Sequence, residues 1–352
     1  MPSRRACSRA GAGLARRVSP RLAPALAPAL LPQREEASFK AEFEASAAHI
    51  ADSLQARLQE HAWAAASLAQ VLAQSASFAS PVFPNVTLPG FDALGATLLP
   101  LFASRAVCWM PLLASGPAAR AAWETYALTQ LGASAPAVGA IYVSGVNATR
   151  ARAPDGAMLV PLWQISPASA ANNAARLLDL ASVPVERAAM EEAARTLSPA
   201  LCDILVLVQD RGSPGTPRPS SIMFAPVVLG GAVAGFASVV FSWDDALAYA
   251  LPDSVVGLDA VLTSGRSGST YSFRVAGDAV QITGAQDVHE ASGDLAALAM
   301  RRTIVAGGHN LTLALYPTAA QRSLYVSATP GIACAVVVCI IVAMSLLFWV
   351  YD

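Results

Sequence analysis

The 352-residue chain has room for one large or two ordinary domains; it is 55% hydrophobic, only 13% charged, and carries a net charge of −1. Lys40 is its only lysine, so no basic surface is available to track phosphates, and nucleic acid is excluded as a partner. Cysteines at 7, 108, 202, 334 and 339 form no Cys-x-x-Cys pair and only four histidines occur, so neither a metal site nor a cofactor is expected.

The segment 1–34 is rich in Arg, Ser, Pro and Ala and has no acidic residue, which reads as a disordered or targeting segment. Its Leu26–Leu31 stretch is too short and too interrupted by proline to span a membrane. From Glu35 on, Phe39, Phe43, Ala47, Ile50, Leu54, Leu58, Ala65, Leu68 and Leu72 recur at helical steps, predicting one long helix over 35–76 that suits a stalk or a homodimer seam. His49 and His61 are expected to lie partly exposed on it. Pro81, Pro84 and Pro89 prevent its continuation.

Helical and strand patterns then alternate over 77–326. Helices are predicted at 91–103, 117–131, 168–180 and 184–197, the last opened by Pro184 with Glu186 in its first turn, where a carboxylate suits the helix dipole. Strands are predicted at 107–113, 158–165, 202–208, 221–229, 232–241, 257–263, 271–275, 279–282 and 311–315, with Gly230-Gly231 as a hairpin turn. The Gly265–Gly268 stretch reads as a hairpin loop and Trp243-Asp244-Asp245 as a helix start. The class is α+β, with antiparallel sheets in two related lobes behind the long helix.

A C-terminal segment, 330–351, contains the uncharged run IACAVVVCIIVAMSLLFW, long enough to cross the ~30 Å hydrocarbon core as one transmembrane helix. Trp349 and Tyr351 supply an aromatic interface anchor. Sequons at Asn85, Asn147 and Asn310 tilt the preceding domain toward the extracellular or lumenal side, as a glycoprotein. In that compartment Cys108 and Cys202 are either disulfide partners or reduced core thiols. No catalytic constellation emerges. His49, His61, His289 and His309 fall in no spacing known for a general base, and no phosphate-binding glycine loop occurs.

Taken in order, FKAEFEASAAHI, CWMPLL with AAWETY, MLVPLWQISP, NNAARLLDLASVPVERAAMEEAARTLS and IMFAPVVLGGAVAGFASVVFSW resemble the CHASE domain, the extracellular sensor of histidine kinases and nucleotide cyclases. The resemblance covers 39–261 and is nearest to algal cyclase-linked members. It implies PAS-like lobes, a small-molecule or peptide ligand, single-pass membrane attachment, and an output domain absent from this chain. In cytokinin-binding members an Asp contacts the ligand at the position of Asp179, and a residue 22 positions later, here Leu201, offers backbone groups. The alternative role for Asp179 is local hydrogen bonding to backbone at a helix end. A membrane-anchored adhesion or structural ectodomain without ligand is the rival reading of the whole chain.

Overall fold

The computed structural model describes residues 23–351 except 79–82, 115, 145–148, 155–157, 211–217, 253–254, 256, 277–278, 290, 292 and 326–328, and omits the side chains of 23–33, 76–78, 329–331 and 333–334. Residues 1–22 and the sequon at Asn147 lie outside the described residues. The chain divides into two compact units, Glu42–Gln321 and the paired terminal segments Met1–Ala41 and Arg322–Asp352.

Helix α1 (Ala23–Phe78) is longer than its periodic stripe required. All nine apolar positions of that stripe are buried. The expectation for His61 needs correction. It is 1% exposed, because positions 54, 58, 61 and 65 share the same helical face.

Helix α2 (Phe91–Leu101) is followed by strand β1 (Ala106–Pro111), helix α3 (Pro117–Leu131) and strands β2 (Tyr142–Ser144), β3 (Arg150–Arg152) and β4 (Gln164–Ser166). Helices α4 (Ala170–Ala174) and α5 (Pro184–Thr196) precede β5 (Ala200–Leu201), β6 (Leu205–Val206), β7 (Pro219–Leu229) and β8 (Ala232–Ser242). The first lobe is an antiparallel sheet in the order β4-β1-β8-β7-β5, with β6 also on β7. Gly230 and Gly231, both at positive φ, turn the β7–β8 hairpin. Gly235 allows the backbone of β8 to approach β1: a Cβ there would lie 2.4 Å from the Met110 carbonyl.

Three predicted elements are shorter than their patterns. The strand over 158–165 is reduced to β4 plus bridges at Leu159 and Pro161, and the helix over 168–180 to α4. The strand over 202–208 is reduced to β6, and β5 lies just ahead of it, at Ala200–Leu201. Asp203 makes the break between them, its carboxylate accepting from the Ile204 N–H at 2.7 Å.

Helix α6 (Trp243–Ala250) leads into the second lobe, formed by β9 (Leu258–Ser264), β10 (Thr270–Ala276), β11 (Ala279–Gly284), the short helix α7 (Asp294–Ala297), β12 (Met300–Ala306) and β13 (His309–Pro317). Its antiparallel order is β11-β10-β9-β13-β12. Edge strand β12 was not anticipated. The Gln55 side chain of α1 covers part of that edge, donating to the Val305 carbonyl at 2.6 Å and accepting from its N–H at 2.9 Å.

In the terminal unit, helix α8 (Ala319–Tyr325) places Arg322 2.7 Å from Glu36, and the Phe39 and Tyr325 rings lie 5.8 Å apart. Helix α9 (Thr329–Tyr351) follows, its described side chains strongly exposed. Among the described residues no helix is long and apolar enough to cross a membrane.

Candidate functional site

The first lobe contains a small inner chamber of about 30 Å³, room for roughly one or two waters. Its floor is the sheet, with Cys108 of β1, Ile222 of β7, and Ser238 and Val240 of β8. Leu162, Ile165, Leu178 and Leu180 form one wall, Leu207–Gln209 another, and Glu186 projects from α5. Burial raises the Cys108 thiol to about 12, and the Glu186 carboxylate adds to the rise. Both Cys108 and Cys202 are free thiols in the core. Cys202 accepts a hydrogen bond from the Ile222 N–H at 3.0 Å.

The leucine wall is held by backbone pairing. Leu177 donates to the Leu162 carbonyl (2.8 Å), Leu162 to Leu178 (2.9 Å), and Leu180 to Val160 (3.1 Å), so the short bridge stretch 178–179, between a turn and a 3₁₀ helix, lies beside 160–162. Leu178 and Leu180 line the chamber, and Asp179, between them, does not. The Asp179 carboxylate is buried, accepting from the Val160 N–H at 2.9 Å and the Ala181 N–H at 3.2 Å. Burial raises its pKa, against which the two N–H groups and the nearby Arg187 and Arg120 act. Leu201 is also buried, in β5, and its N–H reaches the Gly307 carbonyl of the second lobe at 3.1 Å. Neither Asp179 nor Leu201 lines the chamber.

Glu186 is the chamber's carboxylate, and it shares a face with Ala189, Met190 and Ala193, all buried. That spacing was the available signal; in the sequence Glu186 reads only as a partner for the helix dipole. The VPLWQISP stretch anchors the preceding loop. Trp163 and Trp109 both donate to the Val86 carbonyl, at 3.0 and 3.3 Å, and the Gln164 side chain exchanges two hydrogen bonds with the Leu88 backbone.

A second polar cluster joins the lobes. Ser264 Oγ lies 3.2 Å and Asp203 Oδ1 3.7 Å from the same nitrogen, Nε2, of buried His309. A catalytic triad needs serine and aspartate on opposite ring nitrogens, and the Ser264 hydroxyl already accepts from the Arg266 and Ser267 N–H groups. Of these contacts only the 3.7 Å approach of Asp203 to His309 crosses between the lobes; the Ser264–His309 hydrogen bond lies within the second. Burial holds the His309 imidazole below its usual range.

The chain resembles several solved sensors at low identity. Against an extracellular ligand binding receptor from Desulfohalobium retbaense, identity is 12% and the TM-score 0.41, over 76% of this chain and 39% of that one. Against the ligand binding domain of the Pseudomonas aeruginosa amino acid chemoreceptor PctC, in complex with GABA, the values are 13% and 0.37, over 80% and 100%. The extracellular domain of the putative histidine kinase mmHK1S-Z2 gives 9% and 0.37, over 79% and 97%. No curated protein matches the sequence. The CHASE domain model matches residues 91–270, beginning at α2 and not at the expected 39, and extending past the expected end at 261 through β9 to the start of β10. That match covers just over half of the sequence, and the chain belongs to the CHASE domain family.

Proposed function

We propose that the chain is a membrane-anchored sensor whose first lobe binds a small molecule or peptide outside the cell and passes its occupancy through the second lobe to a membrane helix. Membership of the CHASE family, taken with the chamber on its central sheet, carries this reading. Glu186 gives the ligand its chemistry. A carboxylate in an apolar chamber favours an N–H donor and disfavours an anionic head. Asp179 and Leu201 support the chamber, one by fixing its leucine wall and the other by tying β5 to the second lobe.

Helix α9 is the proposed anchor. Its described apolar side chains face outward, and the Ser345 hydroxyl donates to the Ile341 carbonyl at 2.8 Å, satisfied within the helix as a lipid surround requires. Exposed Trp63 and Val71 sit on one face of α1 and support a homodimer seam there. Asn310 is exposed, consistent with glycosylation.

Calorimetric titration of the full chain in detergent against adenine derivatives, amino acids and short peptides tests the reading. Binding that is lost in Glu186→Gln supports it, and equal affinities in wild type and Asp179→Ala would remove Asp179 from ligand contact. The second reading, a structural ectodomain without ligand, draws on the chamber volume of about 30 Å³, far below the ~300 Å³ of ordinary ligand pockets. Silence across the panel favours it.

A further inference from the structure

The inner chamber shares a wall with a larger cavity. The outer cavity, about 240 Å³, opens beside Arg105, Ser169, Asn172, Gln209 and Asp210. Leu207, Gln209 and Val240 line both spaces. Val240 is fixed, since β8 is paired on both sides, with Ala106 and with Ile222. Leu207, though buried, and Gln209 have fewer backbone pairings.

They belong to the segment 205–210. On one side it is attached through β6, which meets β7 over two residue pairs, Leu205 with Ser220 and Val206 with Pro219. Proline has no N–H, so the second pair lacks a ladder donor. On the other side a 3₁₀ turn, closed by Asp210 N–H to the Leu207 carbonyl at 3.0 Å, ends on one ion pair. The Arg105 guanidinium contacts both Asp210 oxygens, at 2.6 and 2.8 Å, with a third contact to Ser220 Oγ at 3.2 Å. Arg105 itself is fixed to the sheet, its N–H donating to the Val240 carbonyl at 2.8 Å.

We infer that the outer cavity is a second ligand subsite, an antechamber to the inner one, and that Leu207–Asp210 is the gate between them, latched by Arg105 and Asp210. The inference rests on the ligand-sensing reading above. Opening the gate merges the two spaces into one pocket with hydrogen-bonding groups at its mouth, apolar walls and Glu186 at its inner end. It fits a compact, elongated ligand with a polar outer end, an apolar body and an N–H donor at the inner end.

Cys108 reports the gate without any ligand, because it lines the inner chamber, whereas Cys202 is equally buried and lines neither cavity. Two full-length chains in detergent, one retaining only Cys108 and the other only Cys202, with the remaining cysteines changed to serine or alanine, are labelled with methyl methanethiosulfonate. Arg105→Met and Asp210→Asn are each expected to speed Cys108 labelling about tenfold and leave Cys202 within about twofold. The exchanged pair Arg105→Asp with Asp210→Arg is expected to slow Cys108 again. A parallel rise at both thiols, no rise at Cys108, or no recovery in the exchanged pair overturns the gate. None of these outcomes depends on the titration panel, so the gate and the sensing role fail separately.

Discussion

Replacing Asp179 by alanine separates a wall-fixing carboxylate from a dispensable one. The carboxylate accepts from two backbone N–H groups, Val160 at 2.9 Å and Ala181 at 3.2 Å, in a site closed to water. Alanine leaves both donors buried without an acceptor, at about 1–3 kcal/mol each, partly offset by no longer burying a charge. A net loss of about 2–4 kcal/mol follows, a fall in Tm on the order of 10 °C for a domain of this size. Asparagine keeps an oxygen in place and is expected to cost about 1 kcal/mol at most. Acid sharpens the comparison. Burial raises the Asp179 pKa above its ordinary 3.8, so between that value and the folded one the native state holds a proton that the unfolded state has released. That contribution is fully present below 3.8 and is lost as pH rises through the folded pKa, so the wild-type advantage over Asp179→Asn narrows with rising pH. Urea unfolding followed by fluorescence of Trp109, Trp123 and Trp163 reads both effects. Equal stability of the alanine and asparagine variants would refute the wall-fixing role.

His61 stacks on Phe241 at 4.4 Å, meets the Phe102 carbonyl at 2.8 Å, and is held by burial at a pKa of about 4 instead of 6.5. The unfolded chain takes up this proton first as pH falls, so stability declines between about 6.5 and 4, and His61→Phe is expected to flatten that slope in urea midpoints measured across the window. At Gly307, φ is +51° and a Cβ would lie 2.4 Å from the Leu201 nitrogen, so Gly307→Ala should cost about 2 kcal/mol or more in the same unfolding assay; an unchanged midpoint would exclude the close approach. Arg120 is buried with Glu124 at 2.9 Å and donates to the Ala153 and Ile141 carbonyls, so Arg120→Met should cost about 3–5 kcal/mol and Glu124→Gln in the same chain should recover part of it.

The sequence was most legible where one element supplies its own pattern. The α1 stripe needs only a 3.6-residue period, and the β7–β8 hairpin only alternating apolar residues around two glycines. Reading failed where distant partners decide. Leu177 takes a φ of +66° and pairs with Leu162, so the chain leaves α4 after Ala174 although its composition suits a helix to Leu180. Strand β12 contains Arg301 and Arg302, charges typical of a sheet edge that hide a strand from a hydrophobicity scan. At the site, the resemblance points to Asp179, whereas the partners of its Oδ1, the Val160 and Ala181 N–H groups, are set by tertiary pairing that no local pattern carries. Glu186 and His61 were legible in principle, each spaced three, four or seven residues from buried apolar neighbours.

The Leu201 N–H leaves its own sheet and donates to the Gly307 carbonyl at the tip of the β12–β13 turn. A peptide bond of one lobe is thereby stitched into the other, which makes the boundary between them a seam rather than a hinge. Exchange at the Leu201 amide requires this contact between the lobes to break, so its protection is expected to report the free energy of parting them, and to equal that of the core amides if the two sheets melt as one unit.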